Sequence, residues 1–159
     1  MMKKILVAVD GSEKAKRAAR KGAELSEQLE AKVTLIHVYK QSAKAPVDEF
    51  NVMDTHLKDE NMIDIIKRHE ESIVEKKKQI LEEDAKYFTE KNIEVEKIFR
   101  YGDPADIVCE FAEENAFDLI IVADKGHSKV GRFLLGSISD KIVRHSNISV
   151  LVVKWKFVK

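Results

Sequence analysis

The chain has 159 residues, and its 28 Lys and Arg side chains balance its 28 Asp and Glu side chains, so the formal net charge is zero. That length suits one domain with its own core, and we expect a single domain over residues 1–159. The charge balance gives no reason to expect nucleic acid or an anionic membrane as a partner. A lone cysteine, Cys109, excludes an internal disulfide, which fits an expected cytoplasmic location.

The first part of the chain predicts two buried strands joined by a helix. Residues 5–9 are a continuous apolar run rich in β-branched side chains that ends at the turn sequence Asp10-Gly11-Ser12, and residues 33–38 are read as a second buried strand. Small and apolar residues recur every three or four positions between the two strands, which predicts a helix with one narrow face against a sheet. Such a strand–helix–strand unit is expected to be parallel, with a right-handed crossover.

A long helix is predicted from about residue 61 to 91, after a loop at 39–60 that has no hydrophobic period. The apolar residues spaced by seven in this helix are Ile66, Ile73, Ile80 and Tyr87. This period also allows a coiled coil, but Glu70, Lys77 and Asp84 occupy the intervening positions of the seam. A helix packed on a sheet is therefore the favoured interpretation.

The second part of the chain predicts three more strands and two helices in alternation. They are a strand at 93–99, a helix from 104 to about 115, a strand at 117–122, a helix at 137–145 and a strand at 149–153. The strand at 93–99 alternates polar and apolar residues, which indicates a solvent-exposed face and a position at the sheet edge. Gly102-Asp103-Pro104 supplies a turn glycine, a capping aspartate and a proline at the first helical position. The whole pattern predicts an α/β fold with an open five-stranded parallel sheet and helices on both faces.

Open parallel sheets bind ligands outside the carboxyl ends of their strands, so the segment after the fourth strand is the informative one. Residues 123–139 contain three glycines and several basic side chains, and Gly136-Ser137-Ile138-Ser139 opens a helix. A helix amino terminus has unpaired N–H groups and a partial positive charge, so it can hold a phosphate, and the two serine hydroxyls can add donors. The alternative is that Ser137 simply caps the helix.

Taken together, several segments resemble the universal stress protein (Usp) family over nearly the whole chain. The matching segments are residues 5–12, 37–38, 102–104, 135–145 and 149–153. The resemblance implies a Rossmann-like fold of the adenine nucleotide alpha hydrolase type. It also points to the ATP-binding branch, which carries Gly-x2-Gly-x9-Gly-Ser/Thr after the fourth strand. This chain keeps the spacing with Gly126, Gly136 and Ser137, but Ala123 replaces the first glycine.

By the same resemblance, ten residues would form a nucleotide site. They are Val9, Asp10, Val38, Val122, Ala123, Gly126, Gly136, Ser137, Ile138 and Ser139. The carboxylate of Asp10 would hold the ribose or adenine side, although a turn or helix-cap role is an equal alternative. The main chain at Val38 would meet the adenine, the loop and helix start would surround the phosphates, and Mg²⁺ would be held through those phosphates. The methyl group of Ala123 would lie where backbone and nucleotide meet.

The resemblance implies an ATP-binding regulatory module of the stress response, with at most slow ATP hydrolysis. We expect no catalytic residue and no metal ligands from the protein itself. The alternative, which Ala123 favours, is a dimeric interaction module that binds no nucleotide. In the family the last strand joins two subunits, so we expect a homodimer with Trp155 and Phe157 near the pairing edge, and burial of that strand under the chain's own helices is the alternative.

Overall fold

The computed structural model describes residues 1–40, 60–125 and 135–154. These residues form alternating strands and helices. The elements are β1 (Lys4–Ala8), α1 (Glu13–Leu29), β2 (Lys32–Tyr39), α2 (Glu60–Thr89), β3 (Val95–Tyr101), α3 (Pro104–Glu114), β4 (Leu119–Ala123), α4 (Ser137–His145) and β5 (Ser149–Val153). Most of the predicted loops at 39–60 and 123–135, together with Trp155 and Phe157, lie outside the described residues.

The five strands form one parallel sheet in the order β3-β2-β1-β4-β5. This confirms the predicted α/β architecture, and β3 lies at an edge, as its alternating sequence indicated. The chain moves from β1 outward through β2 to β3, and then crosses back to β4 and β5 on the other side. The order therefore reverses between β1 and β4, where the following segments diverge and leave a crevice.

Side chains of the strands alternate between two cores, one on each face of the sheet. Ile5 and Val7 of β1 pack with α1 and α2, whereas Leu6 packs with α3 and α4. Helix α1 lies very close to the sheet, because a Cβ atom added at Gly22 would stand 2.8 Å from Cγ2 of Val7. The narrow face predicted for this helix is therefore confirmed. Cys109 is buried in the second core, and its burial raises the pKa of the thiol.

Helix α2 is buried only over its carboxyl-terminal half. Leu81, Ala85 and Phe88 belong to the first core, whereas Ile63 is 59% exposed near the start of the helix. The expected packing of this helix against the sheet is thus confirmed for the second half. Within the described ranges, no helix is long and apolar enough to cross a membrane.

The helix starts differ in how they are capped. Oγ of Ser12 accepts a hydrogen bond from N of Ala15 (3.1 Å) at α1, and Oδ1 of Asp103 accepts one from N of Asp106 (3.2 Å) at α3. The cap predicted at Asp103 is confirmed. At α4 the capping position is Gly136, which has no side chain to accept such a bond. The alternative in which Ser137 caps this helix is therefore wrong, because Ser137 is already the first helical residue.

Candidate functional site

A cavity of about 370 Å³ opens at the carboxyl ends of β1, β2 and β4, beside the starts of α3 and α4. It lies at the reversal of the strand order, where the sequence placed the ligand site. Of the ten predicted site residues, nine line it: Val9, Asp10, Val38, Val122, Ala123, Gly136, Ser137, Ile138 and Ser139. The tenth, Gly126, lies outside the described residues.

The Asp10 turn brings the first strand end to the cavity. Oδ1 of Asp10 accepts a hydrogen bond from N of Ser12 (2.9 Å), which forms an Asx-type turn, and Gly11 adopts a φ of +83° that favours glycine. Asp10 also lines the cavity. The same carboxylate thus shapes the turn and lies at the cavity.

The start of α4 forms the opposite end of the cavity. N of Gly136 donates to the carbonyl oxygen of Asp124 (2.6 Å), and O of Gly136 accepts the first helical bond from Asp140 (2.9 Å). In the described part of the chain, no capping side chain bonds the N–H groups of the first turn at 137–139. They therefore present donors and the positive end of the helix dipole to the cavity.

The two serines of this turn differ in environment. Ser139 is buried, and its hydroxyl donates to O of Asp124 (2.7 Å) or O of Gly136 (3.0 Å). A hydroxyl has one hydrogen, so the predicted donation from this side chain to a phosphate differs from what the structure shows. Ser137 is exposed, and its hydroxyl remains the serine donor at the cavity.

An ion-pair cluster holds the α3 and α4 starts together beside the cavity. Nζ of Lys141 lies 3.1 Å from Oδ1 of Asp103 and 2.9 Å from Oδ1 of Asp106. Nζ of Lys40, which lines the cavity, lies 3.5 Å from Oδ2 of Asp103. The hydrogen bond from Lys141 is the main cause of the lowered pKa of Asp103. This cluster ties the orientation of α4 to the strand ends of β2 and β3.

Comparison with protein-family models decides the family. The model of the universal stress protein family matches residues 1–154. This chain belongs to the universal stress protein family.

Curated relatives of this universal stress protein match it along nearly its whole length. Universal stress protein YxiE of Bacillus subtilis (strain 168) is 29% identical over 154 residues, which cover 97% of this chain and 100% of YxiE. Universal stress protein MJ0531 of Methanocaldococcus jannaschii is 27% identical, covering 97% of this chain and 83% of the relative. The putative universal stress protein SSP1056 of Staphylococcus saprophyticus is 30% identical, covering 96% and 83%.

Solved structures share the fold. The structure of hypothetical protein MJ0577 superposes with a TM-score of 0.78 at 27% identity and covers 99% of both chains. A universal stress protein in complex with cAMP gives a TM-score of 0.66 at 23% identity, covering 96% of this chain and 97% of that one. The universal stress protein of Archaeoglobus fulgidus in complex with dAMP gives 0.62 at 21%, covering 97% and 98%.

Ala123, which departs from the glycine pattern of the ATP-binding branch, is the last residue of β4. It pairs with Val153 in register and packs partly buried against the first core. Its φ is not positive, so the methyl group causes no strain of the kind that demands glycine. The substitution therefore changes the cavity wall by one methyl group and leaves the strand geometry intact.

Sequence reasoning missed several cavity residues, including Tyr39, Lys40, Lys77 and Pro104. Tyr39 and Lys40 directly follow the predicted second strand, so the rule that placed Val38 at the site could have found them. Lys77 interrupts the apolar seam of α2, and a charged residue at such a position was the sequence feature that could have marked it. Among the described residues, no cluster of three or more His, Cys, Asp or Glu side chains could hold a metal ion.

Proposed function

We propose that this universal stress protein is a regulatory module that binds an adenine nucleotide, with ATP as the ligand, in the cavity at the carboxyl ends of β1, β2 and β4. One observation carries the proposal: the uncapped start of α4 faces the same cavity as Asp10 and the end of β2. One end of the cavity offers N–H donors that can bind an anion, and the other end offers a carboxylate and an apolar strand end. This arrangement suits a ligand with phosphates at one end and a base at the other.

The cavity has the size and lining that such a ligand requires. About 370 Å³ lies in the range of small-molecule sites, and apolar walls from Val9, Val38 and Val122 surround a few polar groups. We assign the phosphates to the N–H groups of residues 137–139 and to the hydroxyl of Ser137. The base and ribose then lie toward Asp10 and the main chain of Val38.

Structural neighbours support the nucleotide class. Two universal stress proteins with this fold hold cAMP and dAMP, and both ligands are adenine nucleotides with one phosphate. In this chain the preference for ATP rests on the retained Gly136-Ser137 sequence and its spacing from the end of β4. Mg²⁺ would bind through the phosphates, since the described residues offer no protein cluster for it. We expect any ATP hydrolysis to be slow.

Isothermal titration calorimetry of protein freed of carried-over nucleotide tests this proposal. We expect saturable binding of ATP, strengthened by Mg²⁺, and weaker binding of AMP. In Gly136→Val, added atoms would crowd O of Asp124 and Cα of Lys125, both 3.2 Å from the first added carbon, and ATP binding should be lost. Ser149→Val, at an exposed position of β5, is the control and should bind ATP normally. Absence of heat with every nucleotide would refute the proposal.

A homodimer through β5 is a second proposal, and it stands with or without a nucleotide. Strand β5 is the last strand of the sheet, with no further strand paired to it among the described residues; Val150 to Val153 are half-buried, and Val143 of the adjacent α4 is 43% exposed. An open edge with apolar side chains favours pairing with a second copy. Light scattering should give twice the chain mass of 18.2 kDa, and Val143→Lys should shift the protein toward monomer. A monomer at every concentration would refute dimer formation.

A further inference from the structure

Lys77 of α2 lies at the β2 end of the cavity, although it is far from the family's glycine pattern in sequence. It lines the cavity together with Tyr39, and its Nζ lies 5.8 Å from the centroid of the Tyr39 ring. The two adjacent lysines, Lys76 and Lys78, are exposed, whereas Lys77 is half-buried. The structure thus singles out one of three consecutive cations.

The packing of α2 fixes Lys77 in this place. Ile80, one turn later, packs on the Asp10 turn so closely that a Cβ atom at Gly11 would stand 2.9 Å from its Cδ1. The next residue, Leu81, is buried in the first core. Lys77 is therefore one helical turn from two contacts that anchor α2 to the turn carrying Asp10.

Within the described ranges, no carboxylate neutralises the charge of Lys77 by forming an ion pair with it. Lys40, the other lysine at this end of the cavity, already lies 3.5 Å from the Asp103 carboxylate. Among the described residues, the ammonium of Lys77 contacts the ring of Tyr39 in a cation–π arrangement. A half-buried ammonium beside an aromatic ring can bind a nucleotide base, either through a cation–π contact or by donating a hydrogen bond to it.

We propose that Lys77 contacts the base of the bound nucleotide and makes the site prefer nucleotides over phosphate chains that carry no base. This inference rests on the proposed function. Strand β2 is two strand spacings, about 10 Å, from β4, whose end leads to the phosphate-binding start of α4. The base of a nucleotide whose phosphates are bound at α4 would extend across this distance to the end of β2. The ring nitrogens of a purine can accept a hydrogen bond from the ammonium.

Calorimetry of Lys77→Met tests the assignment, with Lys78→Met as the matched control and ATP, AMP and inorganic tripolyphosphate as ligands. Because the contact is with the base, ATP and AMP should each bind about tenfold more weakly to Lys77→Met, by the same factor. Tripolyphosphate affinity should not change. Lys77→Arg, which keeps the cation, should retain most of the affinity, and Lys78→Met should match the unmodified protein.

Other outcomes would overturn the assignment. If Lys77→Met weakens ATP but leaves AMP unchanged, the lysine contacts the outer phosphates. If the unmodified protein binds nucleotides and Lys77→Met binds them equally well, this inference fails while the proposed function stands. If the unmodified protein binds no nucleotide, the proposed function fails first, and the base contact fails with it.

Discussion

Asp84 of α2 is a buried carboxyl whose charge should destabilise the fold at neutral pH. It is 1% exposed, and its Oδ2 has no hydrogen-bond partner among the residues that the structure describes. The pKa of Asp84 is raised from 3.8 to about 6, chiefly by burial; the charge of Lys16 opposes this rise, and the carboxylates of Glu83, Asp10 and Glu13 contribute to it. An acid whose pKa is higher in the folded chain binds its proton more tightly there than in the unfolded chain.

The size and sign of the effect follow from those two values. A difference between 3.8 and about 6 corresponds to a free-energy penalty of about 3 kcal/mol at pH 7, where the folded chain must carry the charge. The penalty falls to about 1.5 kcal/mol at pH 5 and nearly vanishes below about pH 3, because both states are then protonated. This group therefore makes the fold more stable as the pH falls from 7 toward 4.

Urea unfolding of Asp84→Asn at pH 7 and pH 5 measures this contribution. We expect the substitution to raise the free energy of unfolding by about 2 kcal/mol at pH 7, somewhat less than the full penalty because the buried amide needs partners of its own. The gain should shrink at pH 5. Asp64→Asn, at an exposed position of the same helix, should change stability little at either pH. A loss of more than about 1 kcal/mol at pH 7 in Asp84→Asn would refute the reasoning, since it would mean that the ionised carboxylate is stabilised by its surroundings.

Four further substitutions test the packing of the core and of the site by urea unfolding. In Gly22→Ala, a methyl 2.8 Å from Cγ2 of Val7 should cost about 1–3 kcal/mol, more than the gain of about 1 kcal/mol in helix propensity; equal or higher stability would contradict this. Ser139→Ala should lower stability by about 1–2 kcal/mol because a buried hydroxyl bond is lost, whereas exposed Ser137→Ala should stay within about 0.5 kcal/mol; equal effects would contradict the assigned roles. Gly11→Ala should cost about 1–2 kcal/mol, because φ is +83° and α2 leaves no room, and an unchanged midpoint would refute that account.

The elements could be predicted from sequence wherever a local pattern has one meaning. The predicted bounds of α4 and β5 match the structure, since a glycine precedes α4 and β5 is a compact apolar run. Strand β3 begins two residues later than predicted because Ile93 serves another purpose. Its N–H donates to O of Phe88 (3.0 Å) after Asn92, which has a φ of 58°, so Ile93 belongs to the turn that ends α2. An apolar residue is common just after such a helix end, and the alternating pattern of a strand cannot distinguish it from the first residue of that strand.

The candidate site was predictable as far as it follows from the order of strands. Val9, Val38 and Val122 occupy strand ends, so the parallel pattern alone brings them to one edge. Lys77 and Asp84 were visible only as interruptions of an apolar seam, because their surroundings depend on how α2 lies across the sheet. One became part of the cavity, and the other a buried carboxyl.

The start of α4 shows why a glycine suits this position better than an ordinary cap. Helices α1 and α3 begin with Ser12 and Asp103, whose side chains accept N–H bonds, but a capping side chain at Gly136 would occupy the donors that the proposed phosphate contact requires. A side chain there would also press on the loop, since its Cβ would lie 3.2 Å from O of Asp124, the oxygen that accepts bonds from Gly136 and Ser139. The same residue therefore leaves the helix start open and lets the loop after β4 lie against it. The buried Ser139 hydroxyl donates to O of Asp124 or O of Gly136, and so it holds the turn in place without using the N–H groups of the first turn.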